Sequence, residues 1–351
     1  MKLGIQYQKE LQIENIQKVG FSCLELPYDM CEDEVPMAVC GIVLQIKDLT
    51  TENFQAAFMQ VQKREAEYLI LDTQEVADSD ILYTVIESNK EMIAASGAAI
   101  YIENGYCCSA DGHYCCSEFS ETWRLSELVD IFNQMCGKDC FGICLNVGYA
   151  NLVGKNLRVM IEELGDKLGM IHINDNDGIH NQHQLPYTFT TGRGARSTDW
   201  YRIIGALVRS HFDGWLVFDT IGLFKRIPLQ LQETMLKLLY QIKREWEEQF
   251  LLEQRLNQPE KKLILFGAGV MAKNYMDAWG DKYLPAFFVD NNSVLWDKKR
   301  FGIEIKSPEA ILEIPEEQRN VWICNQYYDP IGAQLKQMRI AYQCYWDHYY
   351  L

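Results

Sequence analysis

One rhythm narrows the fold more than any other feature of this chain. A short apolar run ends in polar residues, and a stretch with apolar positions three and four apart follows it. The runs are Leu3–Tyr7, Cys23–Leu26, Gly41–Gln45, Tyr68–Asp72, Ala99–Glu103, Phe141–Asn146, Met170–Ile173 and Trp215–Asp219, eight in all. Between them lie stretches such as NFQAAFMQVQKREAE and ETWRLSELVDIFNQM, whose spacing gathers the apolar residues on one helical face. Strands that are apolar on both faces and alternate with helices imply a parallel sheet covered on both sides. Eight such units in about 220 residues predict a closed (β/α)8 barrel over positions 1–226.

After the eighth run, Pro228 can open a long helix with Leu231, Met235, Leu238, Leu239, Ile242, Trp246 and Phe250 on one stripe. We expect it to serve as a connecting segment over 227–260. KKLILFGAGVMAKNY then starts a different rhythm, a strand running into a glycine-rich turn and a helix. Strands at Ala286–Val289, Gly302–Ile305, Val321–Cys324 and Tyr342–Tyr345, with a helix at Ile331–Met338, complete a small open Rossmann-like α/β domain over 261–351.

Composition excludes several classes of partner. Hydrophobic residues make up 48% and charged ones 23%, enough for a filled core. The net charge of −16 repels phosphate backbones and anionic headgroups, so nucleic acid is not expected as a partner. The start has no apolar leader, and the longest weakly polar run, Met92 to Ile102, is far short of the roughly 20 residues of a membrane helix. A cytoplasmic chain with no membrane partner is the expectation, and homo-oligomerisation is left open. The twelve cysteines are read as reduced thiols, because a core this large needs no disulfide framework. Cys107, Cys108, Cys115 and Cys116 flank His113 without the CxxC spacing of a zinc turn and are read as an ordinary loop.

In such barrels the chemistry sits where strands end. Those positions carry Glu103, Asn146, His172 followed by Asp175, and Asp219, so the four should converge on one axis. Asp175 and Asp177 lie in the turn-rich NDNDG and are as well explained as turn residues, and His180 and His183 as solvated ones.

The segments YIENGY, GICLNVGYANL, MIHINDNDG, NQHQLP, TGRG with STDW, and HFDGWLVFDT resemble, in order and spacing, the xylose isomerase-like barrel family of sugar and sugar-phosphate isomerases and epimerases. The likeness covers the barrel and is strongest from Tyr101 to Thr220. It implies one divalent metal, manganese, magnesium or cobalt, in seats occupied here by Glu103, Asn146, His172 and Asp219. It also implies an enediolate intermediate with Glu103 and Asp219 as acid and base, and substrate contacts from Tyr149, His183 and Arg193, the last to an anionic group. A hard cation on carboxylate oxygens suits this chemistry because it polarises a sugar's carbonyl and hydroxyl oxygens. The chain departs from the family pattern in specific places. LDxGH reads LNVGY, which puts the neutral Asn146 in an acidic seat and Tyr149 in that of a histidine. DxHLP becomes Asn181-Gln182-His183, and the last glutamate is the shorter Asp219. Misplacing a reacting group by one methylene can cost on the order of 10²-fold in rate. The abasic-site endonucleases of the same superfamily need early-strand histidines, and LELPYD and LQIKD offer none.

In the C-terminal part, Gly267, Gly269 and Ala272 follow the GxGxxG/A pattern, and Asp290 stands where an acid would hold a ribose hydroxyl. With FVDNNSVLWDKKRFGIEIKSPEAI, this resembles a short module of surface-polysaccharide proteins, which implies a nucleotide or nucleotide-sugar ligand. A metal-dependent sugar isomerase or epimerase is therefore the first functional expectation. A barrel that kept the pocket but lost turnover, serving as a sugar or nucleotide-sugar binding protein, is the second, and an NAD oxidoreductase ranks last.

Overall fold

The computed structural model describes residues 2–189 and 198–345, and in it the eight runs become the eight strands of a closed parallel barrel. They are β1 (Lys2–Gln6), β2 (Cys23–Pro27), β3 (Ala38–Gln45), β4 (Tyr68–Asp72), β5 (Ala99–Glu103), β6 (Phe141–Asn146), β7 (Leu168–Ile173) and β8 (Trp215–Phe218). β3 and β7 start earlier than their apolar runs, and β8 stops one residue before Asp219. β1 pairs with β8, Lys2 opposite Trp215 and Ile5 opposite Phe218, which closes the sheet.

The outer helices form for the reason their spacing suggests. Helix Thr51–Lys63 buries Phe54, Ala57, Phe58 and Val61, one face at helical intervals. Thr50 caps it by accepting the Asn53 amide at 3.1 Å, a contact of the kind that contributes about 1 kcal/mol. Inside the barrel, Tyr68, Ile70, Met170, Trp215 and Val217 pack with Cys40 and Cys144. Most come from the first half of their strands, so they plug the amino-terminal end and leave space at the carboxyl ends. The Tyr68 ring enters this layer because position 41 is glycine: a Cβ there would stand 1.8 Å from the ring.

Helix Leu229–Phe250 does not run free as a connector. It buries Leu236, Leu239, Ile242 and Trp246. The Trp246 ring stacks on Trp200 at 5.6 Å and on Phe218 at 5.9 Å, and its indole N–H donates to the Tyr187 hydroxyl at 2.9 Å. Of the apolar stripe read in the sequence, Leu239, Ile242 and Trp246 lie on this inner face, whereas Leu231 and Leu238 are exposed, and Leu236 joins the buried side instead. Accordingly the first compact unit runs Met1–Trp246 and the second Glu247–Leu351.

The second unit holds a six-stranded sheet of β9 (Lys262–Phe266), β10 (Phe287–Val289), β11 (Lys299–Arg300), β12 (Ile303–Lys306), β13 (Arg319–Ile323) and β14 (Gln343–Cys344). Its order is β11-β12-β10-β9-β13-β14, and all pairs are parallel except β11 with β12. Successive residues of β9 feed opposite faces. Leu265 joins Ala272, Tyr275 and Trp322, whereas Ile264 and Phe266 join Ile311, Ile331 and Leu335. Helices Val270–Trp279 and Tyr328–Gln337 supply one partner on each side.

Candidate active site at the mouth of the barrel

A cavity of about 410 Å³ opens at the carboxyl ends of the strands, lined among others by Asp72, Glu103, Tyr149, His172, His183 and Asp219. The strand ends account for most of it: Asp72 closes β4, Glu103 closes β5, His172 is the penultimate residue of β7, and Asp219 follows β8.

His172 is held from both sides. Its Nδ1 lies 2.5 Å from Glu103 Oε1 and its Nε2 3.0 Å from Glu25 Oε1. Glu25, fully buried on β2, also accepts from Gln6 Nε2 at 3.1 Å and from the Tyr68 hydroxyl at 3.0 Å. Burial opposes charge on the imidazole, but Cys144, Glu25 and Glu103 around it outweigh burial and raise its pKa well above the usual histidine range. Cys144 lies on β6 with its Sγ 4.0 Å from Glu103 Oε1, and burial pushes its thiol up to about 12.

Asn146 ends β6 and is fully buried. Its Nδ2 donates to Glu103 Oε1 at 2.9 Å. Its Oδ1 accepts from the Tyr149 amide at 3.1 Å, capping helix Val147–Leu152, and from Asn174 Nδ2 at 3.0 Å. Both acceptor positions of that oxygen are therefore in use.

On the other side of the cavity, Asp219 Oδ2 meets His183 Nδ1 at 2.8 Å. Burial would raise the Asp219 carboxyl, but the His183 ring prevails and lowers it below its ordinary value. Reciprocally, burial would lower His183, and Asp219 raises it. Asp219 Oδ1 is buried without a hydrogen-bond partner among the described residues. Tyr149 stands edge-on to His183 at 6.0 Å and donates its hydroxyl to Gln74 Oε1 at 2.8 Å. The mouth thus brings buried carboxylates, two imidazoles and an oxygen unpaired among the described residues to one cavity.

Residues 72–237 match the sequence model of the xylose isomerase-like TIM barrel. The chain is also similar to the solved structures of L-ribulose 3-epimerase (13% identity, TM-score 0.50, 74% of this chain and 100% of that one) and of a D-allulose 3-epimerase from Methylomonas sp. (11% identity, TM-score 0.50, 70% and 98%). At such identities the likeness is one of fold. No curated protein matches the chain.

Within this barrel, several polar residues of the β7 loop are structural. Asp175 accepts from the Trp200 indole at 3.2 Å and from the Asn176 amide at 2.9 Å. Asp177 accepts from the Ile179 and His180 amides and pairs with the His180 ring at 2.8 Å, closing a turn. His183 is not solvated: it lines the cavity on Asp219. Arg193 lies outside the described residues.

The cysteine-rich segment is a hairpin rather than a plain loop, with Cys107–Cys108 paired antiparallel to Tyr114–Cys115. Its Cys107 and Cys115 sulfurs stand 3.2 Å apart as free thiols. Sequence reasoning passed over three site residues. Asp72 could have been found by the strand-end rule that found Glu103. Glu25 and Cys144 sit at inward positions within strands, where a polar side chain among apolar neighbours was the signal.

In the second unit, Gly267 has φ 117°, and a Cβ there would stand 2.4 Å from the Cys324 carbonyl, so the turn requires glycine. Ala272 is fully buried against the sheet, and nothing lies within 4 Å of a Cβ built on Gly269. Asp290 Oδ2 accepts the Ala268 amide at 3.0 Å and Oδ1 the Asn292 amide at 2.9 Å, so this carboxylate shapes the turn itself.

Proposed function

We propose that this chain is a metal-dependent isomerase or epimerase of sugars or sugar phosphates. The observation that carries the reading is the convergence of Glu103, His172 and Asp219, from three strands, on one cavity. Its volume of about 410 Å³ falls in the range of small-molecule sites. The donors suit a divalent cation: carboxylate and imidazole groups stand together, and Asp219 Oδ1 is a buried anionic oxygen without a partner among the described residues. Asn146, the expected fourth ligand, would have to give up its cap or its bond to Asn174.

A cation bound there would polarise the sugar's carbonyl and hydroxyl oxygens. The protein's own groups handle the proton. His183 keeps Asp219 ionised, so the Asp219 carboxylate can take the proton from the carbon beside the carbonyl, leaving the electron pair on the sugar as an enediolate. Glu103, entering the cycle protonated, gives its proton to the carbon to form the isomer, proton exchange with solvent then resets Asp219 and Glu103, and Tyr149, His183 and Arg193 orient the hydroxyls and any anionic group. L-ribulose 3-epimerase and D-allulose 3-epimerase, which share the barrel, are by name enzymes of this class. For the second unit we propose a nucleotide or nucleotide-sugar site at Gly267, Gly269, Ala272 and Asp290, supported by the glycine-dependent turn before helix Val270–Trp279.

The test is deuterium exchange from D2O into ketoses and ketose phosphates, followed by NMR, alongside calorimetric titration of Mn²⁺, Co²⁺ and Mg²⁺ into stripped protein. Wild type should bind metal and exchange the carbon-bound proton, His172→Ala should lose the metal, and Glu103→Gln should slow exchange by roughly 10²–10⁴-fold. If wild type shows neither binding nor exchange, the enzyme reading falls. The second reading, a binding protein, would then hold; the use of Asn146 as a helix cap favours it, and nucleotide-sugars would be titrated next.

A further inference from the structure

We propose that Glu103, Cys144 and His172 form a thiolate-containing seat for a thiophilic cation, zinc or cobalt(II), one layer inside the barrel mouth. The inference rests on reading this cavity as a metal site, and it identifies the third ligand. A carboxylate oxygen, a sulfur and a ring nitrogen from three adjacent strands lie within 4.8 Å of one another, and all three residues are buried. Tetrahedral zinc has bonds of about 2.0–2.3 Å to such atoms, so its ligand atoms stand roughly 3.3–3.7 Å apart. The Cys144 to Glu103 distance of 4.0 Å and the His172 to Glu103 distance of 2.5 Å bracket that spacing. Small side-chain rotations admit the ion.

Three further observations favour the inner seat. Cys144 and Asn146, two residues apart on β6, project to the same side of the strand, and the outer one has both acceptor positions of its amide oxygen in use. Glu25 holds His172 Nε2 at 3.0 Å, which leaves Nδ1 turned toward Glu103. A carboxylate behind a histidine is the usual support of a metal-bound imidazole. Glu103 and His172 also line the cavity, so the fourth position of the ion faces substrate, as in a catalytic zinc site.

Thiolate and imidazole together select zinc over manganese or magnesium. The Cys144 proton leaves to solvent as the metal–sulfur bond forms, with no change of oxidation state. Two anionic ligands then match the charge of the ion, and Asp219 stays with His183 for proton transfer.

The experiment is a titration of Co²⁺ into metal-stripped full-length protein without oxygen, read by absorption. Wild type should develop a near-ultraviolet thiolate-to-cobalt charge-transfer band that Zn²⁺ abolishes and excess Mn²⁺ does not. Cys144→Ser should lose the band while keeping its circular dichroism. A Cys107→Ser/Cys115→Ser variant should retain it, which excludes the exposed hairpin as its source. Glu25→Gln should weaken Zn²⁺ binding by roughly 10–100-fold. Co²⁺ bound without the band, with affinity dependent on Asp219, would overturn the inner seat and leave the metal-isomerase reading standing. Binding of no metal would overturn both. If Cys144→Ser fails to fold, the wild-type spectrum with its zinc competition still decides.

Discussion

Asp72 is a buried carboxyl at the mouth of the barrel whose charge changes close to neutral pH. Burial, with Glu103 adding to it, pushes it up to about 8, against about 3.9 in an unfolded chain. The folded protein therefore holds a proton that the unfolded chain releases between those values, and stability should fall as pH rises from about 4 to 8. Asp72→Asn removes that dependence. Denaturant titration across this range should show the variant gaining on wild type as pH rises, and parallel curves would contradict the shift. Strand-end residues were legible in the sequence because a barrel fixes where they go, and Glu103, His172 and Asp219 all reach the cavity. Partners were not legible. Nothing in LNVGY says that the Asn146 oxygen caps its own helix, and nothing in LELPYD says that Glu25 reaches across the barrel to His172. Such contacts depend on strand neighbours far apart in the chain.

Among the elements, the strands were readable to within a few residues, since each is apolar on both faces and ends in a polar residue. Helix Leu229–Phe250 was readable as a helix but not as part of the barrel, because a stripe of apolar residues does not say what covers it. Trp246 settles its place. It is fully buried between Trp200 and Phe218, and Trp246→Ala should cost about 3–5 kcal/mol, the usual loss for a large aromatic cavity. Chemical denaturation would measure this, and a loss below about 1 kcal/mol would mean the helix is dispensable to the barrel. The glycine turn after β9 shows the same division. Gly267 was legible as a turn glycine, whereas the use of Asp290 to hold the Ala268 amide required the fold.

For the molecule as a whole, the net charge of −16 acts on everything at once. Charges of one sign in excess repel one another in the compact state, and added salt screens them. Raising the concentration of a monovalent salt should therefore raise the unfolding temperature in calorimetry, whereas a fall would show that specific ion pairs outweigh the general repulsion. No helix among the described residues is long and apolar enough to cross a membrane. The pairing of β1 with β8 has a consequence for how the chain comes to fold. Lys2 cannot find Trp215 until that residue has been synthesised, so the first strand emerges with an unpaired edge and waits for most of the barrel to follow. Until the seam closes, that edge is open to strands of other chains. Crowded synthesis at high expression is thus a condition that exposes this protein to aggregation, before the mouth of its barrel exists at all.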